Sequence, residues 1–443
     1  MVLSPAIEIL EACQIHPDVD SKIESTLQDS IALSYFDLQY LQFPPTERLL
    51  FYEVRPPVFA DAILSNLKRS LSLTLGYFRP IAGKLVWPSD SNEPFIQIDE
   101  DDSIPLTIAE SNVDLDFFCS DTPRRATAYR PLIPDLQSSD RESGLMALQI
   151  TIFPNHGFCI GVTYHHVAHD GKGLSLFLKS WANICKNRCT DSLPPELTPV
   201  YDRALIDDQY NIKELLLNNV SAYKNTSLKL REIDYEGYYR GQFTLSSSAI
   251  DGLREFVTQR QGYPCKMSTF VLACAHLWVC LVKTHKLFDK RVYFVCAADL
   301  RSRLQFPVPA TYFGNCVFPC IASAAGNDLM GEDGLILAME AISEALKGLG
   351  VDPVPGDVKK LSLRPDLFQE MRVLSLAGSP QLRLYDTDFG WGRPRKVKVV
   401  SISRNGEISL AESHDGSRGM EIGLMMTEEK LGVFSSLFAD GIK

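Results

Sequence analysis

Residues 147–184 constrain the fold more tightly than any other stretch. Ala147-Leu-Gln-Ile-Thr-Ile-Phe153 and Phe158-Cys-Ile-Gly-Val-Thr-Tyr164 are apolar, β-rich runs, and Pro154-Asn-His-Gly157 between them carries turn chemistry. This combination predicts a hairpin. Gly173-Leu-Ser-Leu-Phe-Leu-Lys-Ser-Trp-Ala-Asn-Ile184 then spaces its apolar residues with a helical period. At the joint stands Thr163-Tyr-His-His-Val-Ala-His-Asp-Gly171, which gathers three of the chain's eight histidines beside an aspartate. A strand that feeds a helix through a short turn exposes its last side chains at a sheet edge. A base can be held rigidly there, with room beside it.

The same alternation of periods runs through the first half. Ala60 to Leu71 puts Ile63, Leu64, Leu67 and Leu71 on one helical face, and Pro80 ends that helix. Lys84-Leu-Val-Trp87 and Phe95-Ile-Gln-Ile98 follow as strands. Helices that alternate with strands predict an α/β layer built around a sheet. At 443 residues the chain exceeds one core. The proline-rich, polar segment from Lys186 to Asp208 is the best boundary. It divides the sequence into a first domain over 1–185, a crossover over 186–210 and a second domain over 211–443.

Beyond the crossover, Ser246 caps a helix that runs to Val257, Ser268 to Cys280 reads as a buried helix, and Arg291 to Cys296 as an interior strand. Near the C-terminus, Lys396 to Ile402 alternates and Arg404-Asn-Gly-Glu407 carries a hairpin signal, so Ile408 to Ala411 is expected to pair back. A turn over His414 to Gly419 leads to a third strand, Met420 to Met426, and Thr427 is placed to cap a last helix bearing Leu431, Phe434, Leu437 and Phe438.

Charge and composition exclude several classes. A formal charge of −11 argues against nucleic-acid binding, which needs a basic face. No apolar run reaches the roughly 18 residues of a membrane span, and the start lacks a secretory pattern. A cytoplasmic protein is expected. The eleven cysteines are scattered without a Cys-x-x-Cys and sit mostly in apolar runs, which reads as buried thiols rather than a disulfide framework or a zinc site.

The His166 imidazole titrates near neutral pH, so a positioned ring can take a proton from an attacking hydroxyl. Asp170 could orient that ring directly, or face away and hold the turn through an arginine; alternatively both are packing residues. His165 and His169 have the four-residue spacing of a helical metal pair. However, no Glu follows the first, Gly171 and Gly173 discourage a helix there, and no third ligand offers itself, so no metal is assigned. A second unusual string is Tyr385-Asp-Thr-Asp-Phe-Gly-Trp-Gly-Arg-Pro394, whose glycines permit tight turns and whose Asp388 can bond the turn's own amides. Arg393, Arg395 and Lys396 beside it form a basic cluster suited either to an anionic phosphate or to solvent.

Taken together, these strings resemble the BAHD family of plant acyl-CoA-dependent acyltransferases. His166-Val-Ala-His-Asp170-Gly171 matches the family's HxxxDG motif, and Asp388-Phe-Gly-Trp-Gly392 its DFGWG motif, in the same order. Tyr35-Phe-Asp-Leu38, the Ser268-Thr-Phe270 helix entry and Leu300-Arg-Ser-Arg303 extend the likeness over essentially the whole chain. Tyr312-Phe-Gly-Asn-Cys316 resembles the branch that acylates anthocyanins, flavonoid glucosides and phenolic glucosides, commonly from malonyl-CoA. Ala377-Gly-Ser-Pro380 fits that branch and departs from the Ser/Thr-Ser-Trp of the hydroxycinnamoyl shikimate-type members, which leaves the oxyanion-stabilising group unassigned.

The resemblance implies a mixed α/β fold of two chloramphenicol-acetyltransferase-like domains with a channel between them, acting as a monomer. It implies an acyl-CoA donor, malonyl-CoA first and hydroxycinnamoyl- or acetyl-CoA next, and a glycoside acceptor, with His166 as general base. Asp170, Gly171, Arg301, Asp388, Gly390, Trp391 and Gly392 become structural supports. Ser268 and Thr269, at a helix start, are candidates for CoA phosphate. Lys172 is a candidate for the malonyl carboxylate by proximity, and Phe36 and Asp37 for the acceptor side. Two rivals stand outside this reading: a metal-dependent hydrolase using His165, His169 and Asp170, and a non-catalytic binder of acyl-CoA or glycoside.

Overall fold

The computed structural model describes residues 6–18, 29–54, 60–188, 192–222, 227–230, 235–349, 372–402 and 407–441. Two large mixed sheets dominate. The first has six strands in the spatial order Ile7–Ile15, Ile104–Ser111, Met146–Phe153, Gly157–Tyr164, Thr46–Glu53 and Lys396–Val399. The second has seven, ordered Val317–Ala325, Arg291–Asp299, Arg372–Ala377, Glu407–Glu412, Met420–Met426, Tyr239–Leu245 and Arg124–Arg125. A smaller sheet joins Ser30–Ala32, Phe95–Gln97, Lys84–Val86 and Glu142–Gly144.

The hairpin read from the sequence is the centre of the first sheet. Met146–Phe153 pairs antiparallel with Gly157–Tyr164, from Gly157 opposite Phe153 to Tyr164 opposite Met146. Both strands are buried almost throughout, which explains their near-continuous apolar runs. The helix Gly171–Asn187 leaves this hairpin and packs on the helix Ala60–Tyr77. There Trp181, fully buried, donates its indole N–H to the Leu67 carbonyl at 3.2 Å and the Ser70 hydroxyl at 3.0 Å. The second sheet carries its own core, with Leu277 and Trp278 of the helix Thr269–His285 set against Phe294, Ile422 and Phe434.

Each large sheet also borrows an edge from the other half of the chain. Lys396–Val399 runs antiparallel to Thr46–Glu53 in the first sheet, and Arg124–Arg125 bonds the strand Tyr239–Leu245 of the second. This exchange crosses the 186–210 segment in both directions and ties the two layers together.

It also overturns one sequence expectation. The strand beginning at Lys396 does not pair with Ile408 to Ala411; the latter lies in Glu407–Glu412, between Arg372–Ala377 and Met420–Met426 of the second sheet. Alternation reports which face of a strand is buried, not which strand lies beside it. Val397 is opposite Leu50 and shares its core, a partner far away in sequence. The Asn405-Gly406 signal lies outside the described residues. The hairpin from Glu407–Glu412 to Met420–Met426 forms as expected. Thr427 precedes the helix Glu428–Asp440 in the capping position, but its side chain makes no cap hydrogen bond, whereas Ser246 does cap its helix, accepting from the Ala249 N–H.

Candidate active site

The turn after Tyr164 is fixed by one carboxylate. Asp170 caps the helix Gly171–Asn187, its Oδ1 accepting from the Lys172 and Gly173 N–H groups at 3.0 Å each. That cap lets the helix begin at Gly171, so these glycines do not delay it. Gly173 is required by space, since a Cβ there would stand 2.6 Å from the His169 Cβ. Asp170 Oδ2 accepts from the Cys316 N–H at 3.0 Å. Arg301 grips the same carboxylate with two bonds, Nη1 to Oδ2 at 2.8 Å and Nη2 to Oδ1 at 3.1 Å. Its other bonds go to Asp299 and to the Tyr312 and Gly314 carbonyls. Both partners are buried, and the guanidinium together with the amide donors holds the Asp170 carboxyl below the usual carboxylate range despite its burial. Of the two arrangements open to Asp170, this is the one that pairs with an arginine.

His166 is positioned by a different residue. Its Nδ1 lies 3.1 Å from Asn315 Oδ1. The Asn315 amide nitrogen donates to Asp37 Oδ1 at 2.9 Å and to the His166 and Val167 carbonyls at 2.9 and 3.2 Å. With its nitrogen committed to acceptors, the amide must present its oxygen to the ring. Nδ1 therefore carries the proton, and Nε2 keeps its lone pair. Burial pushes the His166 imidazole below its ordinary value, which favours the neutral ring. Tyr40 stacks on it, with ring centres 3.8 Å apart and planes 17° from parallel.

Asp37 is the anchor of this arrangement. It is fully buried and also accepts from the Asn315 N–H at 3.0 Å, the Ser34 N–H at 2.9 Å and Arg203 Nε at 3.0 Å. Phe36 beside it is buried against Tyr35 and Phe318. Asp37 thus reaches His166 only through Asn315. Neither Asn315 nor Tyr40 was singled out from the sequence. The available signal for Asn315 was its place in Tyr312-Phe-Gly-Asn-Cys316, which by itself carries no role.

The other histidines of the cluster are packed neutral rings. His165 Nδ1 accepts from the Val167 N–H at 3.2 Å, and His169 stacks on Tyr164 with its Nδ1 3.0 Å from the Asp170 carbonyl. Burial lowers His165 to about 3 and His169 to about 4. Among the described residues, no group of three or more His, Cys, Asp or Glu is arranged to hold a metal.

The remaining candidates bond to groups other than His166. Lys172 Nζ is 3.1 Å from Asp299 Oδ2. Ser268 caps the helix Thr269–His285 by accepting from the Val271 N–H at 3.3 Å, with Thr269 as the first helical residue. In the second string, Asp388 Oδ1 accepts from the Gly390 and Gly392 N–H groups at 2.8 and 2.9 Å, and Lys186 holds Oδ2 at 2.7 Å. Gly390 and Gly392 have φ of +107° and +102°, a backbone that side chains disfavour. Phe389 is buried between Tyr52 and Trp181, and Trp391 meets Phe158 edge-on. The neighbouring basic cluster is neutralised locally: Arg393 pairs with Asp386, Arg395 with Asp116, and Lys396 with Asp121 and Glu421.

Comparison with known proteins extends over the same length. A protein-family model described as the Transferase family matches residues 6–440. Phenolic glucoside malonyltransferase 1 of Bemisia tabaci is 40% identical over 457 residues, covering 100% of this chain and 98% of that protein. Malonyl-CoA:anthocyanidin 5-O-glucoside-6''-O-malonyltransferase of Arabidopsis thaliana is 38% identical over 458 residues, covering 99% of each. The crystal structure of vinorine synthase superposes with a TM-score of 0.73 at 21% identity over 98% of both chains, a likeness of fold.

Proposed function

Because this chain belongs to the Transferase family of BAHD acyltransferases, which use acyl-CoA as co-substrate, we propose that it transfers a malonyl group from malonyl-CoA to a sugar hydroxyl of a phenolic, flavonoid or anthocyanin glucoside. His166 is the general base. Its Nε2 takes the proton from the acceptor hydroxyl as the oxygen attacks the thioester carbonyl. The tetrahedral intermediate collapses by breaking the C–S bond, and His166 returns the proton to the CoA thiolate. No acyl-enzyme is required, because the thioester is already activated.

The observation that carries this reading is the Asn315 contact, which leaves the His166 Nε2 lone pair available while fixing the ring. Asp170 and Arg301 act as architecture, and the turn at Asp388 to Gly392 holds the second string away from the chemistry. The donor assignment draws on the malonyltransferase relatives, and the acceptor class on their glucoside substrates. Ser268 and Thr269 remain proposed contacts for CoA phosphate. The enzyme is proposed to be monomeric and cytoplasmic, with its two domains joined near 186–210; among the described residues no helix is long and apolar enough to cross a membrane.

The test is a donor panel on the purified full chain. Malonyl-, acetyl-, p-coumaroyl- and caffeoyl-CoA are offered with phenolic and flavonoid glucosides, and products are read by mass beside His166→Ala. A malonyl adduct that the variant fails to make supports donor, reaction and base together. A cinnamoyl or acetyl adduct overturns the donor, and folded protein silent with every donor overturns the enzyme reading in favour of a binder.

A further inference from the structure

Among the described residues, most buried or nearly buried cations are matched to carboxylates, and Arg240 and Arg48 are not. Arg301 has Asp170, Arg203 has Asp37, and Lys396 has Asp121 and Glu421. Arg240, also buried, spends its Nη groups on the Val399 and Val400 carbonyls. Arg48 is 5% exposed in the buried run of the strand Thr46–Glu53, yet among the described residues no carboxylate lies within ion-pair distance of it, and its Nε has no hydrogen-bond partner. An uncompensated buried charge is costly, so a fold that keeps one is organised around an anion arriving from outside.

The surroundings of Arg48 fit that arrival. Arg48 lines an open cavity between the two large sheets, together with Arg240, Gln242 and Lys398. The carboxylates on the same walls are engaged elsewhere: Asp121 and Glu421 with Lys396, and Glu412 with the Tyr385 N–H at 2.8 Å. The guanidinium lies beside the Tyr164 hydroxyl, and the Tyr164 ring centre is 6.1 Å from that of His166. Its charge is among those that disfavour the His166 imidazolium.

We propose that Arg48 receives the free carboxylate of a dicarboxylic acyl donor and so selects a malonyl-type thioester over an uncharged one. The proposal rests on the donor reading above. In such a donor the carboxylate is one methylene from the thioester carbonyl, so its receptor must stand near the base that serves that carbonyl. Arg48 is linked to His166 through Tyr164, which its guanidinium contacts and whose ring neighbours the imidazole, whereas Lys172 is already paired with Asp299. Burial is the main cause of the lowered His166 value and the Arg48 charge adds to it, so seating the carboxylate offsets that added part and makes the base more ready to accept a proton when the matching donor is bound.

The test compares kcat/KM for malonyl-CoA and acetyl-CoA in wild type, Arg48→Gln and Arg48→Lys, each checked by thermal melting. Arg48→Gln should lose roughly 10²-fold with malonyl-CoA and less than about threefold with acetyl-CoA. Arg48→Lys keeps a charge without the planar fork and should show a malonyl-specific loss of about tenfold. If the glutamine variant does not fold, the lysine variant alone decides. In wild type, the acid limb of the kcat–pH profile should lie at higher pH with malonyl-CoA than with acetyl-CoA. Equal losses with both donors, or an unchanged donor ratio, overturn the proposal. Failure of the donor reading is visible separately, as wild-type protein that makes acyl product but no malonyl adduct.

Discussion

Asn315 Oδ1 and His166 Nδ1 lie 3.1 Å apart although 149 residues separate them in the chain. The contact does what an aspartate does in many histidine-based sites, without adding a negative charge next to the ring. Asn315 is itself aimed by Asp37, and Asp37 by Ser34 and Arg203, so the orientation of one imidazole depends on side chains from several distant segments.

Removing that acceptor should act on turnover more than on binding. Asn315→Ala is expected to lower kcat by roughly tenfold, about the worth of one hydrogen bond that holds the reactive tautomer. Asn315→Asp should instead raise the His166 pKa by placing a charge beside the ring, moving the acid limb of the kcat/KM profile upward. A profile that does not move in the aspartate variant would count against Asn315 as the orienting group.

His166→Ala should lose about 10²–10⁴-fold in kcat while keeping its melting temperature and its affinity for acyl-CoA. In wild type the acid limb of kcat/KM for a donor without a free charge should fall below the ordinary histidine value near 6.5, because burial depresses the ring. Activity then holds as pH falls through 6.5 and is lost only at the lowered value. An acid limb above 6.5 with acetyl-CoA would contradict the burial argument.

Arg301→Met should destabilise the protein by about 3–5 kcal/mol, since it strands the buried Asp170 carboxylate beside the turn that carries His166. Chemical denaturation reads the loss directly. A near-neutral result would mean that the three amide donors from Lys172, Gly173 and Cys316 suffice to hold Asp170.

Gly392→Ala isolates backbone strain from packing. Nothing lies within 4 Å of an added Cβ there, and φ is +102°. The expected cost is about 1–3 kcal/mol of stability, with kcat per folded molecule unchanged if the turn is the structural support proposed for it. A selective fall in kcat would show that this turn reaches the chemistry after all.

Buried neutral histidines also tie stability to acid. His165 is lowered to about 3, and His169 and His276 to about 4. Below about 6.5 the unfolded chain binds protons that the folded chain refuses, so stability rises with pH between about 4 and about 6.5. The contribution is complete above that window and is lost as pH falls through the folded values. His276→Gln, far from the base in sequence, should flatten the slope of denaturation midpoint against pH; an unchanged slope would remove His276 from the account.

Local chemistry made much of this protein legible from its sequence. The hairpin at 147–164, the helix after it, the capped helices at Ser246 and Ser268, and the strand–turn–helix joint with its histidines all follow from periodicity and turn residues that act within a few positions. The motif strings likewise marked His166 and the Asp388 turn. The tertiary structure decided everything that depends on a distant partner. It sent Lys396–Val399 to the edge of the first sheet instead of a neighbouring hairpin, committed Asp37 to Asn315, and left Arg48 buried with no carboxylate beside it among the described residues. Arg48 did leave a trace, a charge at the head of an otherwise apolar run. Sequence pattern records which face of an element avoids water. It does not record which buried polar group meets which, because that pairing is set by long-range strand order and by the need to satisfy each desolvated charge.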